Sequence, residues 1–332
     1  MTFLNHQLYI DQINAYIDPM VPRDLAIITH GHADHARFGH KKVIATPETI
    51  AIMKARYGEN CAEEFQSLPL RKTIQIGDIK ISLYPAGHVL GSAQVLLDDG
   101  KTRIVVTGDY KRGHDSTCED YEIVPCDVLV TEATFGLPVF QHPPAEQEIQ
   151  KLIQSVNDNP TRAHLIGAYA LGKGQRVIKL LREAGYNKPI YLHGAQRKLC
   201  DLYQNYGIDL GILENVGHRN KAEFAGEIII APPSALKDRW SRRFPDSVIA
   251  MASGWMQVKQ RARQRGVELP LIISDHCDWN ELLQTINDTG AKTIWVTHGR
   301  EDALVHYCKT MLGLEAEPLS IQGLGEGEEE VG

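Results

Sequence analysis

The chain reads as an α/β protein. Two patterns and the overall composition predict this. Short apolar runs bounded by Gly or turn residues, such as Leu25-Ala26-Ile27-Ile28, read as buried strands. From about residue 145, strand-type and helix-type stretches alternate, as they do in a small parallel sheet. Of the 332 residues, 43% are apolar and 23% charged, the balance of a globular chain with room for one large domain or two moderate ones.

In chain order, residues 8–18 form a short strand or hairpin ending at Asp18-Pro19, and Leu25–Ile28 is the next strand. Lys42–Ala45 follows, and Pro47 opens a helix toward Tyr57. Ile79–Tyr84 is a strand. Ala93–Leu97, the turn Asp98-Asp99-Gly100 and Thr102–Val106 make a hairpin. Asp127–Val130 is a strand carrying Glu132 beyond its end. In the alternating block, strands are expected over 163–170, 189–192, 227–231 and 247–251, with helices over 174–184 and 196–206. Leu269–Ile273 then resumes a buried strand, followed by a helix to about Asn287 and the strand Ile294–Thr297.

Thr29-His30-Gly31-His32-Ala33-Asp34-His35 follows the Leu25–Ile28 run. It sets four donors within six residues at the end of a buried strand, with Asp34 and His35 expected to open a short helix. Imidazoles two apart can splay onto one metal, and the carboxylate and His just beyond can hold a second. A polar surface loop is the plainer alternative, and the position after a buried strand argues against it.

H-x-H-x-D-H in this setting resembles the metallo-β-lactamase superfamily. That resemblance implies an αββα sandwich and a binuclear ligand set. His88 in Pro85-Ala86-Gly87-His88, Asp109 in Thr107-Gly108-Asp109 and His298 in Thr297-His298-Gly299 supply the remaining positions. It also implies that Asp18 buttresses the ligand loop; an ordinary Asp-Pro turn is the alternative. Because His298 lies beyond the alternating block, the sandwich is expected over 1–145 and 268–325, with the insertion over 146–267 and an acidic tail over 326–332.

A sandwich interrupted in this way, with Glu132 before the insertion and His276 and His298 after it, resembles the β-CASP nucleases. Among these, the Ile28–Arg37 stretch is similar to the bacterial ligase-associated DNA exonucleases. The resemblance implies His30, His32 and His88 on one divalent ion, Asp34, His35 and His298 on the other, and Asp109 bridging. It further implies hydroxide attack at phosphorus with His276, oriented by Glu132, as general acid. The expected activity is single-strand-preferring DNA exonuclease, 5′ to 3′, in DNA repair, with an ATP-dependent ligase and a helicase as partners. Zn²⁺ fits the His-rich donors, and Mn²⁺ remains compatible with the carboxylates. The presence of His298 pulls toward the RNA-processing branch, so a β-CASP ribonuclease stays open. A thioesterase- or lactonase-type hydrolase would share the ligands but needs neither the insertion nor His276.

Net charge is −7, yet residues 146–270 carry 19 Lys and Arg against 12 Asp and Glu, leaving 16 against 30 for the remainder. A basic middle in an acidic frame suits a polyanion. Lys173, in the Gly-flanked turn Leu171-Gly172-Lys173-Gly174-Gln175, is a candidate for gripping a terminal phosphate, and Trp240 for stacking on a base. Six cysteines without CxxC spacing are expected to be reduced thiols in a cytoplasmic protein. No secretory signal or membrane span is expected.

Overall fold

The computed structural model describes residues 3–217 and 220–319; the expected acidic tail lies outside them. The first strands are β1 (Tyr9–Ile10), β2 (Ala15–Ile17), β3 (Leu25–Ile27) and β4 (His40–Ala45), followed by helix α1 (Pro47–Tyr57) and β5 (Ala62–Ser67). They form one sheet in the order β1-β2-β3-β4-β5. Next come β6 (Thr73–Ile76), β7 (Ile79–Pro85), β8 (Ala93–Asp98), β9 (Arg103–Val106) and β10 (Val128–Ala133). An α/β segment then holds α2 (Ala145–Asp158), β11 (His164–Gly167), α3 (Lys173–Glu183), β12 (Ile190–Leu192) and α4 (Gly194–Asn205). It continues with β13 (Leu213–Asn215), β14 (Ile228–Ala231), β15 (Val248–Ala252), α5 (Lys259–Gln264) and β16 (Leu269–Leu271). The chain ends its described course with α6 (Trp279–Thr289), β17 (Thr293–Gly299), α7 (Glu301–Thr310) and β18 (Glu315–Pro318).

By contacts the chain divides into two compact units. One is built from the segments before His142 and from His276 onward; the other is His142–Asp275. In the first, the seven-stranded sheet β18-β17-β10-β9-β8-β7-β6 lies beside the five-stranded one. Side chains of a strand alternate between faces, and the clusters follow that alternation. Ile27 and Ile44 join Leu83, Val95, Leu97, Val106 and Val130 in a core between the sheets. Ala26, Ile28 and Val43 point the other way, against Ile50 and Met53 of α1. On the far side, Val105, Leu129, Ile294 and Val296 pack under Leu282 and Ile286 of α6 and Leu304 and Val305 of α7. The layers are therefore helix, sheet, sheet, helix.

Local chemistry starts and stops the helices that matter here. Thr46 accepts the Thr49 N–H at the start of α1, with Pro47 in the first turn. At α6, Asp278 and Glu281 form a reciprocal capping box, and Gly290 ends the helix in the left-handed region.

In the second unit the sheet order is β13-β12-β14-β11-β15-β16, with every pairing parallel. Leu269–Leu271 differs from expectation here. It pairs with β15 of this sheet rather than resuming the first unit, so the unit reaches Asp275. Asp34 and His35 do not open a helix: the Ala36 N–H reaches the His32 carbonyl at 2.7 Å, and a single turn closes without continuing. Among the described residues, no helix is long and apolar enough to cross a membrane.

Candidate metal centre

The ligand loop leaves β3 at the C-terminal edge of the first sheet and is held by one buried carboxylate. Asp18 Oδ1 accepts the Thr29 N–H at 2.8 Å, and Oδ2 accepts the Thr29 hydroxyl at 2.5 Å. The same Oδ2 lies 2.8 Å from His35 Nδ1, which turns Nε2 of that ring inward. Thr29 Oγ1 in turn lies 3.0 Å from His30 Nδ1. Asp18 thus occupies the buttressing position the resemblance implies.

Two groups of donors converge beyond this support. Donor atoms of His30, His32, His88 and Asp109 all lie within 4.8 Å of one another, and so do those of His35, Asp109 and His298. His32 Nδ1 is 3.0 Å from Nε2 of both His30 and His88. Donors bound tetrahedrally at about 2.0–2.1 Å from a zinc ion sit about 3.3 Å apart, so His32 Nδ1 stands at near-ligand spacing from both of the other nitrogens. Asp109 stands between the groups. Its Oδ2 is 3.5 Å from Nε2 of His30 and of His35, and its Oδ1 is 3.6 Å from His298 Nε2. Oδ1 is buried and accepts no hydrogen bond, the state of an oxygen shaped for a cation. Asp34 lies at the rim, its Oδ2 3.9 Å from His35 Nε2 and its side chain 31% exposed.

The electrostatics point the same way. Burial drives the Asp109 carboxyl up, His35 opposing and Glu132 reinforcing, to about 7. Burial and the His35 charge hold His298 down, to about 4. Burial, with the neighbouring imidazoles, pushes His30 well below its ordinary range. His35 goes the other way: burial would lower it, but Asp109, Asp34 and Asp18 outweigh that and raise it to about 10. Asp34 would be raised by burial, and His35 and His32 pull it down to about 2. Asp109, His298 and His30, pushed toward their neutral forms, are groups a buried dication compensates, while Asp34 and His35 hold each other in their charged forms.

Glu132 and His276 form a separate pair beside the cluster. Both carboxylate oxygens lie 3.0 Å from His276 Nδ1, and both residues are buried. Glu132 also accepts the Tyr110 N–H at 2.9 Å. Burial would raise its carboxyl, but His276 and these hydrogen bonds hold it at about 2. The β10–β17 ladder slips register between Glu132 and Ala133, a bulge at the strand end that carries the carboxylate. The His276 ring lies 4.7 Å from that of His88.

Lys173 is placed otherwise than expected. Its side chain is 0% exposed, with the ammonium donating to Asp275 Oδ1 at 2.5 Å and to the Ile273 carbonyl at 3.0 Å. An ammonium enclosed and neutralised in this way is not presented to a terminal phosphate. Trp240 packs edge-on to His193 at 4.8 Å and against Phe244 rather than standing out for a base. Cys277 is buried in the core under α6. The sequence reading did not single out Thr29, Tyr110, Lys111 or Glu281. Only the spacing Asp278-x-x-Glu281, a capping-box pattern, could have flagged the last.

No family model matches the chain. Its sequence relatives include a probable DNA ligase of Opitutus terrae, 28% identical over 306 residues, covering 89% of this chain and 29% of that protein. The Endoribonuclease YSH1 of Gibberella zeae is 33% identical over 186 residues, covering 52% of this chain and 22% of that protein. That of Eremothecium gossypii is 24% identical over 308 residues, with 74% and 40% covered. The chain therefore spans well under half the length of these relatives. A crystal structure of a protein of unknown function from Enterococcus faecalis V583 shares the fold, with a TM-score of 0.55, 16% identity, and coverage of 82% and 74%. The chain is a homologue of the Ysh1 endoribonucleases and of a probable DNA ligase, relatives consistent with the β-CASP nuclease that its motifs resemble.

Proposed function

We propose that the chain is a metal-dependent phosphodiesterase for nucleic acid, a metallo-β-lactamase sandwich carrying a β-CASP insertion at His142–Asp275. The observation that carries this reading is the Asp109 carboxylate set between two groups of imidazoles, with the buried His276–Glu132 pair at its side. His30, His32 and His88 would hold one divalent ion, and His35 and His298, with Asp34 at the rim, a second; Asp109 would touch both. Such ions supply an activated water and charge neutralisation at phosphorus. His276 protonates the departing oxygen. Glu132 holds its Nδ1 proton and favours the imidazolium. The imidazole-rich set favours Zn²⁺, with Mn²⁺ second.

The substrate we favour is single-stranded DNA, degraded from its 5′ end. Similarity over 89% of the chain to a probable DNA ligase supports DNA. The endoribonuclease names of other relatives favour RNA as the second reading. End-labelled DNA and RNA strands of one sequence, incubated with purified protein and Zn²⁺ or Mn²⁺, test this. Progressive shortening of DNA is expected. Internal cuts in RNA with DNA intact would transfer the function to RNA, and no cleavage of either would remove the nuclease reading.

A further inference from the structure

One three-residue run, Asp109-Tyr110-Lys111, reaches every part of the proposed site in the first unit. Asp109 stands between the donor groups. The Tyr110 N–H donates to Glu132 at 2.9 Å, and its carbonyl accepts the N–H of Cys277, the residue after His276, at 2.9 Å. The Lys111 N–H donates to the Ala86 carbonyl at 3.0 Å, in the loop that carries His88. The Lys111 ammonium donates to Glu281 Oε2, in a pair whose side chains are only 11% and 20% exposed.

Glu281 is not an arbitrary partner. Its Oε2 also accepts the Asp278 N–H at 3.1 Å, and Asp278 Oδ1 accepts the Glu281 N–H at 3.0 Å. One carboxylate oxygen therefore takes both the ammonium of the Asp109 loop and the capping N–H of α6. His276 stands two residues before that cap. Its bond to Glu132 sets the ring's orientation, while the α6 cap and the Cys277 N–H set the course of the backbone that carries it.

We propose that Lys111 and Glu281 are positioning residues that hold the His276 segment in register with Asp109. The proposal rests on the proton-donor role assigned to His276. A reacting group displaced by about 1 Å can lose about 10²-fold in rate, so the pair should matter only where a proton must be delivered.

The test compares two phosphodiesters on the full-length, metal-loaded protein: a single-stranded oligonucleotide and bis(p-nitrophenyl) phosphate, whose p-nitrophenolate leaves without protonation. In Lys111→Met and Glu281→Gln, oligonucleotide turnover is expected to fall by about 10- to 100-fold, with KM and metal content held. Hydrolysis of the activated ester should fall far less, and Lys111→Arg should restore most of the loss. Equal losses on both substrates, or no loss, overturn the proposal. His276→Ala run alongside separates the two layers. If it shows no difference between substrates, the proton-donor role fails and the positioning role with it. If it shows the difference and the Lys111 and Glu281 variants do not, positioning alone fails.

Discussion

At His298 the backbone turns into the left-handed region, φ 38°, with Gly299 behind it at φ 95°. A non-glycine residue there costs about 1–3 kcal/mol and persists only where its surroundings impose it. It coincides with the ring's place beside Asp109 and with the register slip that pairs Gly299 with Ala133, so close that an added Cβ at Gly299 would lie 2.2 Å from the Ala133 carbonyl oxygen. If His298 serves a second ion, His298→Ala should lower bound transition metal from about two to about one per chain, read by elemental analysis. An unchanged count would place the second ion elsewhere. Asp18 invites a subtler change, because its carboxylate serves Thr29 and His35 together. Asp18→Asn cannot accept both as strongly and should weaken metal affinity by about 10–100-fold, the usual scale for a ligand's supporting partner. Titration against a fluorescent chelator would show this, and wild-type affinity would leave Asp18 as a turn residue.

The elements legible from sequence were those with a signal of their own. The Pro47 start of α1, the Asp98-Asp99-Gly100 hairpin and the β3 run all declared themselves by a first-turn proline, turn chemistry or apolar length. Strand β5, Ala62–Ser67, carries Glu63 and Glu64 and shows no apolar alternation; pairing with β4 makes it a strand, which composition cannot report. Leu269–Leu271 read correctly as a strand but was given to the wrong sheet, since three residues do not say which neighbour they pair with. The donors His30, His32, His35, His88, Asp109 and His298 stood out because each lies at or just beyond the C-terminal end of an apolar strand run. Lys173 misled because a Gly-flanked turn looks the same whether its cation faces solvent or a buried Asp275. Between β9 and Asp109, Gly108 tests how far the site depends on strand spacing. At φ 57°, an added Cβ would fall 2.7 Å from Thr29 Oγ1, the atom that links Asp18 and His30. Gly108→Ala should therefore destabilise the protein by more than the ~1 kcal/mol typical of point changes and lower metal binding with it. Urea unfolding with and without Zn²⁺ reads both, and unaltered values would show that the loop yields freely.

Over the whole molecule, charge separates along the chain rather than averaging out. Residues 146–270 are net basic and the remainder strongly acidic, although the Lys173 ammonium is already matched by Asp275 and contributes nothing to an outward field. Exposed cations of this segment include Arg239 and Arg242, at the 3₁₀ turn Ser241–Arg243, and Lys259 and Arg263, on α5. An acidic protein that binds nucleic acid must do so through such a local surface, and counterion release then makes the binding salt-dependent. If these four side chains each neutralise one phosphate of a single strand, the slope of log affinity against log salt is about −0.7 per contact. Their share of the affinity then falls about 50-fold between 50 and 200 mM salt. The variant with all four changed to Gln is therefore expected to bind a single-stranded oligonucleotide more weakly at 50 mM salt and to lose about 2.8 units of slope. Its hydrolysis of bis(p-nitrophenyl) phosphate, too small to reach a basic surface, should be unchanged. Fluorescence anisotropy across a salt series gives the slope directly, and a variant that retains the wild-type slope would show that the strand is held by other cations.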